Sequence, residues 1–183
     1  MKKILFSIIV VVLVACGSSN QKYVDETGKI LDGLIESKSF EITSNWAQPL
    51  MTSAMQQLGN AGLFINGSAA GNIDISRHTN YLKMEKDSVK AILPFYGERQ
   101  FGGGYNNASG IEFEGIPENL QIDSGKEGSY EIRFKINDKN TNTEQYQVYI
   151  KLLSDLSSTI NINSSNRSNI QYRGKVHALI EDK

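Results

Sequence analysis

Two acidic residues, Glu112 and Glu114, have a type and spacing that catalysis could use. They stand two positions apart, so on a β-strand their side chains share one face while Ile111 and Phe113 share the other. Paired carboxylates can supply the acid and the base of glycoside hydrolysis. Any strand with one solvent-exposed face shows the same alternation of residues without a catalytic role. Two interpretations therefore stay open: a glycan hydrolase using Glu112 and Glu114, or the solvent face of a strand.

The segment around these acids, residues 93–115, reads LPFYGERQFGGGYNNASGIEFEG and combines glycines with aromatic residues. It predicts a strand end, a long Gly-rich loop and the next strand. Aromatic rings with a few amides and charges suit a pocket for a sugar, peptide or small amphiphile. A loop that plugs one end of the sheet is the alternative. The candidate ligand-binding residues are Phe95, Tyr96, Arg99, Phe101, Tyr105 and Asn106.

Other chemistries lack their usual residue patterns. The glycines at 102–104 are not followed by the Gly-Lys-Ser/Thr of a phosphate loop. His78 and His177 are isolated from other metal-ligand types, and no Gly-x-Ser-x-Gly elbow holds a nucleophile. The single cysteine allows no disulfide framework. We predict no metal, no cofactor and no assigned catalytic residue, and we favour a protein that is not an enzyme.

The first 15 residues predict a secretory signal peptide. A basic start, MKK, precedes a largely apolar run at 4–15, which is shorter than the roughly 20 residues of a membrane-spanning helix. The run ends in LVAC, which resembles the bacterial lipobox, whose cysteine is acylated and becomes the new N-terminus. We expect lipid on Cys16, a tether over 16–21 and residence in the cell envelope, at the outer membrane on its periplasmic or surface side.

Charge argues against nucleic acid as a partner. Loss of residues 1–15 removes Lys2 and Lys3, so 17 of the 19 basic residues remain against 20 acidic ones, a charge of −3. A nucleic-acid-binding domain would carry a basic surface.

The elements that position these residues begin with a predicted amphipathic helix over 22–38. Its apolar face is spaced at three and four residues and is expected to lie on a sheet. That face consists of Val24, Thr27, Leu31, Leu34 and Ile35.

Period-two alternation then predicts strands over 40–47, 81–85, 89–93, 118–123, 130–136, 146–152, 156–163 and 169–176, with Trp46 continuing the apolar face of the first and Pro49 stopping it. Eight or nine short strands predict one mainly β (α+β) domain over 22–183. Its architecture is a curled antiparallel meander or partly open barrel, with the N-terminal helix packed on it.

A short second helix is predicted at about 50–59, with Pro49 in its first turn and a stripe that includes Met51 and Met55. This stripe could bind a partner, act as a lid or cover the open end of the sheet. Residues 59–72 are predicted to be a loop that contains the apolar island Leu63-Phe64-Ile65.

Six motifs in order carry a resemblance: NYL (80–82), DSV (87–89), LPFYG (93–97), GGGY (102–105), GIEFEG (110–115) and SNRS (165–168). Over about residues 24–176 the chain resembles envelope lipoproteins of Bacteroides-type bacteria whose conserved region is a domain of unknown function. The resemblance implies an anchored β-rich domain with an N-terminal helix and no assigned activity. Asp87-Ser88-Val89 is also similar to the O-glycosylation signal of such bacteria, with Ser88 as acceptor; a plain turn is the alternative.

The leading hypothesis is a lipid-anchored envelope protein that binds a small or extended ligand near residues 93–115 without catalysis. Its expected partners are the membrane, through lipid on Cys16, and a small molecule, glycan or protein. The alternatives are the glycan hydrolase and a structural or partner-binding component of an envelope assembly.

Overall fold

The structure is a computed structural model that describes residues 19–64, 68–100, 110–141 and 143–179, with side chains from residue 26 onward. It contains two α-helices, α1 (Ser19–Ser37) and α2 (Ser53–Asn60), and ten strands. The strands are β1 (Ser39–Pro49), β2 (Ile73–Asp74), β3 (Tyr81–Glu85), β4 (Ser88–Leu93), β5 (Ile111–Gly115), β6 (Glu118–Ser124), β7 (Tyr130–Asn137), β8 (Gln145–Leu152), β9 (Ser157–Ser164) and β10 (Ile170–Ala178).

Nine strands form one antiparallel sheet in the order β5-β4-β3-β1-β10-β9-β8-β7-β6, and β2 pairs with β1. Because neighbours alternate in direction, the two edge strands β5 and β6 run the same way. The link Ile116-Pro117 therefore carries the chain from one edge to the other without a reversal. Across this seam the Lys139 amide donates to the Glu112 carbonyl at 2.9 Å. The sheet is a curled half-barrel, which confirms the predicted fold class.

The predicted amphipathic helix is present as α1, which starts at Ser19 rather than at residue 22. Leu31 and Leu34 of its apolar face are buried in the core with the inward side chains of the strands. Its polar side is also attached, since the Tyr130 hydroxyl donates to Asp32 at 2.8 Å. The helix ends at Ser37, and the next residue, Lys38, has a φ of 49° that turns the chain into β1.

The helix defines two ends of the sheet. The helical end holds the turns at 86–87, 125–129 and 153–156. There Gly28 of α1 lies against Ser154, and Lys38, just after α1, pairs with Asp87 at 3.4 Å. The loop end holds Pro49, residues 94–100 and the turns around 138–141 and 165–169. Within the described residues, no helix is long and apolar enough to cross a membrane.

A β-bulge in β1 makes one prediction wrong. The register with β10 shifts between Ser44 and Trp46, so the Trp46 side chain turns outward and is 36% exposed instead of continuing the apolar face. The backbones approach closely at this bulge. A Cβ on Gly174 would come within 2.0 Å of the Thr43 carbonyl oxygen, so only glycine fits there.

The second helix also differs from its prediction. β1 continues to Pro49, which is the last strand residue and not part of a helical turn. Helix α2 begins at Ser53, where the Thr52 hydroxyl accepts a hydrogen bond from the Met55 amide as an N-cap. Of the predicted stripe, Met55 is buried, whereas Met51 precedes the helix and is 45% exposed.

Candidate functional site

The segment 94–100 leaves β4 at the loop end and is tied to β10 and to the turn that precedes it. The Pro94 carbonyl accepts a hydrogen bond from the buried Tyr172 hydroxyl at 2.9 Å. Further along, the Gln100 amide donates to the Asn166 carbonyl at 2.8 Å, and the Ser168 amide donates to the Glu98 carbonyl at 2.9 Å. Residues 94–100 are therefore held as an extra edge beside residues 166–168.

Arg167 lies at the centre of this attachment and is almost fully buried. Its guanidinium donates from Nε and Nη2 to the two carboxylate oxygens of Glu144, at 2.7 and 3.1 Å. It also donates to the Gly110 carbonyl and lies 5.2 Å from the centroid of the Phe95 ring. One side chain thus joins both ends of the 94–110 segment to the sheet.

A second carboxylate, Asp138, completes this buried cluster. The Asp138 carboxylate, 3.9 Å from Arg167, accepts hydrogen bonds from the Tyr146 hydroxyl and from the amides of Asn140 and Thr141. Burial, together with this hydrogen bond, raises the pKa of the Tyr146 phenol, so its proton stays on the donor. Two carboxylates share one guanidinium, and hydrogen bonds from neutral groups supply the rest of their stabilisation.

This cluster was not predicted from the sequence. Asp138 and Glu144 lie between the predicted strands 130–136 and 146–152, and Arg167 was named only within the SNRS motif. Charged residues in turns are normally exposed, and the pairing of these three depends on two turns that meet only after folding. No local sequence signal distinguishes them.

Tyr96, the next residue after Phe95, faces a cavity of about 210 Å³. Its hydroxyl is a hydrogen-bond donor at neutral pH, as in any tyrosine, and burial raises the pKa of the phenol further. Apolar residues of the 61–78 region form the opposite wall. The cavity is lined by Leu63, Phe64, Ser68, Ile73, Asp74, Arg77, His78 and Tyr96. We call it the Tyr96 cleft.

The polar rim of the Tyr96 cleft is formed by Asp74, Arg77 and His78. Hydrogen bonds from the Ser76 side chain and amide, with the nearby positive charge of Arg77, lower the pKa of the Asp74 carboxyl. The rim therefore carries a fixed negative charge beside a positive one. His78 and Arg77 are both exposed.

A buried side chain, Asn80, sets the shape of this rim. Its amide nitrogen donates to the carbonyls of Ser44 and His78, each at 3.0 Å, and to that of Ile75 at 3.3 Å. Its oxygen accepts from the Ser44 amide at 2.8 Å. Asn80 thus fixes the 75–80 turn against the bulge of β1, which positions Arg77 and His78.

The cleft continues into a neighbouring groove of about 480 Å³ with which it shares Phe64 and Ser68. Met51 and the glycines at 59 and 71 line this groove. The exposed apolar side chains Leu50, Leu58 and Leu63 lie in the same stretch of chain. The apolar island at 63–65 was visible in the sequence, but its position opposite Tyr96 was not.

The other predicted ligand-binding residues have different environments. Phe95 packs against the core beneath Arg167, and Arg99 forms a β-bridge with Arg167. Neither lines the Tyr96 cleft. Phe101, Tyr105 and Asn106 lie outside the described residues, as does Cys16. Ser88 is the first residue of β4, where its half-buried hydroxyl donates to the Gly115 carbonyl at 3.3 Å.

Glu112 and Glu114 lie on the outer face of β5, and neither lines the Tyr96 cleft or its groove. Hydrogen bonds from Lys139 at 2.6 Å and Lys90 at 3.3 Å lower the pKa of the Glu114 carboxyl. Glu112 accepts a hydrogen bond from Asn140 at 3.4 Å. A glycosidase general acid requires a raised pKa, so this arrangement gives Glu114 no such role.

The two histidines are far apart in the fold. His78 is on the rim of the cleft, whereas His177 contacts the Thr43 hydroxyl at 3.1 Å at the helical end. In the part of the chain that the structure describes, no three His, Cys, Asp or Glu side chains are placed to hold a metal ion.

Comparison with known proteins identifies a family. The sequence profile of a domain of unknown function, DUF4251, matches residues 24–176. A crystal structure of a DUF4251 family protein from Bacteroides eggerthii has the same fold, with a TM-score of 0.55 and 16% identity over 83% of this chain and 87% of that one. No curated protein matches. The profile covers most of the chain, and the chain therefore belongs to the DUF4251 family.

Proposed function

We propose that this protein is a lipid-anchored binding module of the bacterial cell envelope that holds a small amphiphilic molecule in the Tyr96 cleft. The observation that carries the proposal is the cavity of about 210 Å³ in which apolar walls and a charged rim converge. A water molecule occupies roughly 30 Å³ of liquid, so this cavity accommodates a larger ligand. A concave apolar site with a few convergent polar groups is the usual form of a small-molecule pocket.

The lining indicates the two parts of the ligand. Phe64, Ile73 and Tyr96 provide surfaces for an apolar body, and the groove beside Met51 extends that surface. Arg77 and His78 provide donors for a polar head group. The Tyr96 hydroxyl adds a donor between the two parts.

The proposed site of lipid attachment is Cys16, three residues before α1 begins at Ser19. Helix α1 packs at the helical end, whereas the Tyr96 cleft opens at the loop end. The resemblance of LVAC to the lipobox supports this part of the proposal.

The alternatives have less support. Glu112 and Glu114 lie outside the cleft, and the lowered pKa of Glu114 does not suit a general acid. For the partner-binding helix, burial of Met55 removes the centre of the predicted stripe. The exposed Met51 is better explained as a wall of the groove.

The ligand site is tested with 1-anilinonaphthalene-8-sulfonate, an aromatic body with an anionic head, added to the chain from residue 16 produced without lipid. We expect saturable fluorescence enhancement that is weakened about tenfold in Tyr96→Ala and Phe64→Ala, the equivalent of one lost contact of ~1.4 kcal/mol. Tyr81→Ala, a tyrosine on β3 outside the cleft, is the matched control. Equal dye binding by all variants would exclude the cleft as the site.

The anchor is tested by growing cells with an alkyne-tagged palmitate. The wild-type protein should become labelled and sediment with membranes, and Cys16→Ser should lose the label. Labelling of Cys16→Ser to the same extent would refute the anchor.

A further inference from the structure

The outer face of the sheet carries a second feature, which the Tyr96 cleft does not use. The strand registers place one outward residue of each of six adjacent strands side by side. In order across the sheet they are Gln121, Arg133, Tyr149, Asn161, Gln171 and Gln48. We call this set the amide row. At the usual spacing between strands it is about 24 Å long.

The amide row is nearly free of charge. Four of its six members are amides, each with donors and an acceptor, and Tyr149 adds a phenol. Its one charged member, Arg133, is paired with Asp123 on the edge strand. Roughly 25–35% of the surface residues of a soluble domain are charged, which is about two in six positions. The row has one charged residue, and that residue is ion-paired.

Hydrogen bonds already order one end of the row. The Gln171 amide nitrogen donates to the Gln48 oxygen at 3.1 Å, and Gln48 in turn donates to Asn72 at 3.1 Å. Asn161 is half-buried, and its side chain makes no hydrogen bond with another described residue. Its donors and acceptor are therefore held at the surface and available to a ligand.

A shallow groove of about 240 Å³ crosses the other end of the row. Gln121, Arg133 and Tyr149 of the row line it, together with polar residues beside the row. These neighbours are Asn119, Lys135, Gln147 and Asn163. Irregular pairing of β6 forms its outer wall, because Asn119 has a φ of 53° and the register shifts between Glu118 and Gln121.

Tyr149 supplies an aromatic surface within this groove. Burial, together with the Glu131 side chain, raises the pKa of its phenol. The half-buried ring can offer apolar surface, while the Arg133 guanidinium on one side and the Asn161 amide on the other can supply hydrogen bonds. Asn161 is its direct cross-strand neighbour.

We propose that the amide row binds an uncharged, extended glycan that lies across the strands, with hydroxyls hydrogen-bonded to the amides and a sugar ring on Tyr149. Sugar hydroxyls donate and accept, as amides do, whereas a charged polymer would find no unpaired counter-charge in the row. A protein partner would need an apolar centre, which the row lacks. Its length favours several sugar units over a single one.

The test is native affinity electrophoresis of the full-length protein in a polyoxyethylene detergent, which has no sugar head group. Gels contain glycogen, galactomannan or mixed-linkage β-glucan, with polygalacturonate as the charged comparator. We expect slower migration in at least one neutral gel. Asn161→Ala and Tyr149→Ala should each raise the apparent dissociation constant about tenfold, while Tyr81→Ala on β3 stays at the wild-type value.

Three results would overturn the proposal: unchanged mobility in every neutral gel, retardation that persists in both row variants, or retardation by polygalacturonate alone. The two sites remain distinguishable. Tyr96→Ala should keep its retardation in the gel, and Tyr149→Ala should keep its binding of 1-anilinonaphthalene-8-sulfonate. Thermal unfolding of each variant verifies that it is folded.

Discussion

Phe95 and Tyr96 are adjacent in the chain yet belong to two contrasting regions. Phe95 is covered by the Arg167 guanidinium, in a cluster where charged groups fill the space. Tyr96 borders an open cleft with polar groups only at its rim. The same aromatic segment therefore fills space in the buried cluster through Phe95 and lines an open cleft through Tyr96. The difference lies in the partner: a buried arginine with matched carboxylates fills its region, and no such side chain enters the cleft from the described residues.

The largest expected effect is in the filled region. Arg167→Ala leaves Glu144 and Asp138 buried without their guanidinium, so we expect the free energy of unfolding to fall by about 3–5 kcal/mol. Urea denaturation measures the change. In the Arg167→Ala background, Glu144→Gln removes one unpaired charge and should recover part of the loss. Strictly additive losses would contradict a coupled cluster.

Asn80→Ala tests the turn at 75–80, which Asn80 holds against β1 and which carries the rim of the Tyr96 cleft. It leaves the Ser44 amide and three carbonyls without their partner in a buried site, at about 1–3 kcal/mol for each group left unsatisfied. We expect a total loss of about 2–4 kcal/mol, because water can enter the exposed side of the turn. The same variant should weaken dye binding, since the rim loses its support. Unchanged dye affinity in the folded variant would show that the position of the 75–80 turn does not affect binding in the cleft.

Tyr146→Phe is a milder change within the cluster. It removes the donor to Asp138 and keeps the ring against Phe113, 6.0 Å between centroids. We expect a loss of about 1–2 kcal/mol in urea denaturation with wild-type dye affinity. A change in dye affinity as large as that of Tyr96→Ala would mean that the cluster and the cleft act as one site.

The smallest effect concerns the rim of the cleft. The folded-state pKa of Asp74 is depressed, so its contribution to stability is present above the unfolded value of about 3.9 and is lost as pH falls through the lower folded value. Asp74→Asn should therefore unfold more easily than wild type at pH 7, and the difference should narrow toward pH 3. Thermal unfolding across this range measures it. A difference in unfolding temperature that stays constant over this pH range would show that the charge of Asp74 does not contribute to stability.

Periodicity predicted most of the fold, because the strands are strongly alternating and their turns are short. The pattern over β7 (Tyr130–Asn137), where apolar residues occupy every second position, fixes which side is buried without knowledge of the partner strand. It failed at Trp46, because a bulge reverses the alternation and depends on the β10 partner Gly174. It also failed at Pro49, where pairing with Ile170 extends the strand.

The candidate site was predictable only in part. Tyr96 could be named from composition, and Leu63 and Phe64 stood out as apolar residues in a polar loop. That these side chains face each other across a cleft could not be predicted from the sequence. More than 30 residues separate Phe64 from Tyr96 in the chain, and no periodic pattern shows which loops will be in contact. Arg167 and Glu144, 23 residues apart, give no signal for the same reason.

By itself the sequence determined the class of fold, the buried face of the regularly alternating strands and the expectation of a lipid on Cys16. These depend on local spacing and local motifs. Tertiary structure alone decided that Arg167 is buried, that Tyr96 borders a cleft and that six outward residues align as the amide row. Each of these depends on strand register or loop contact between distant segments, and the free energy of such contacts arises only when the sheet has closed around its core.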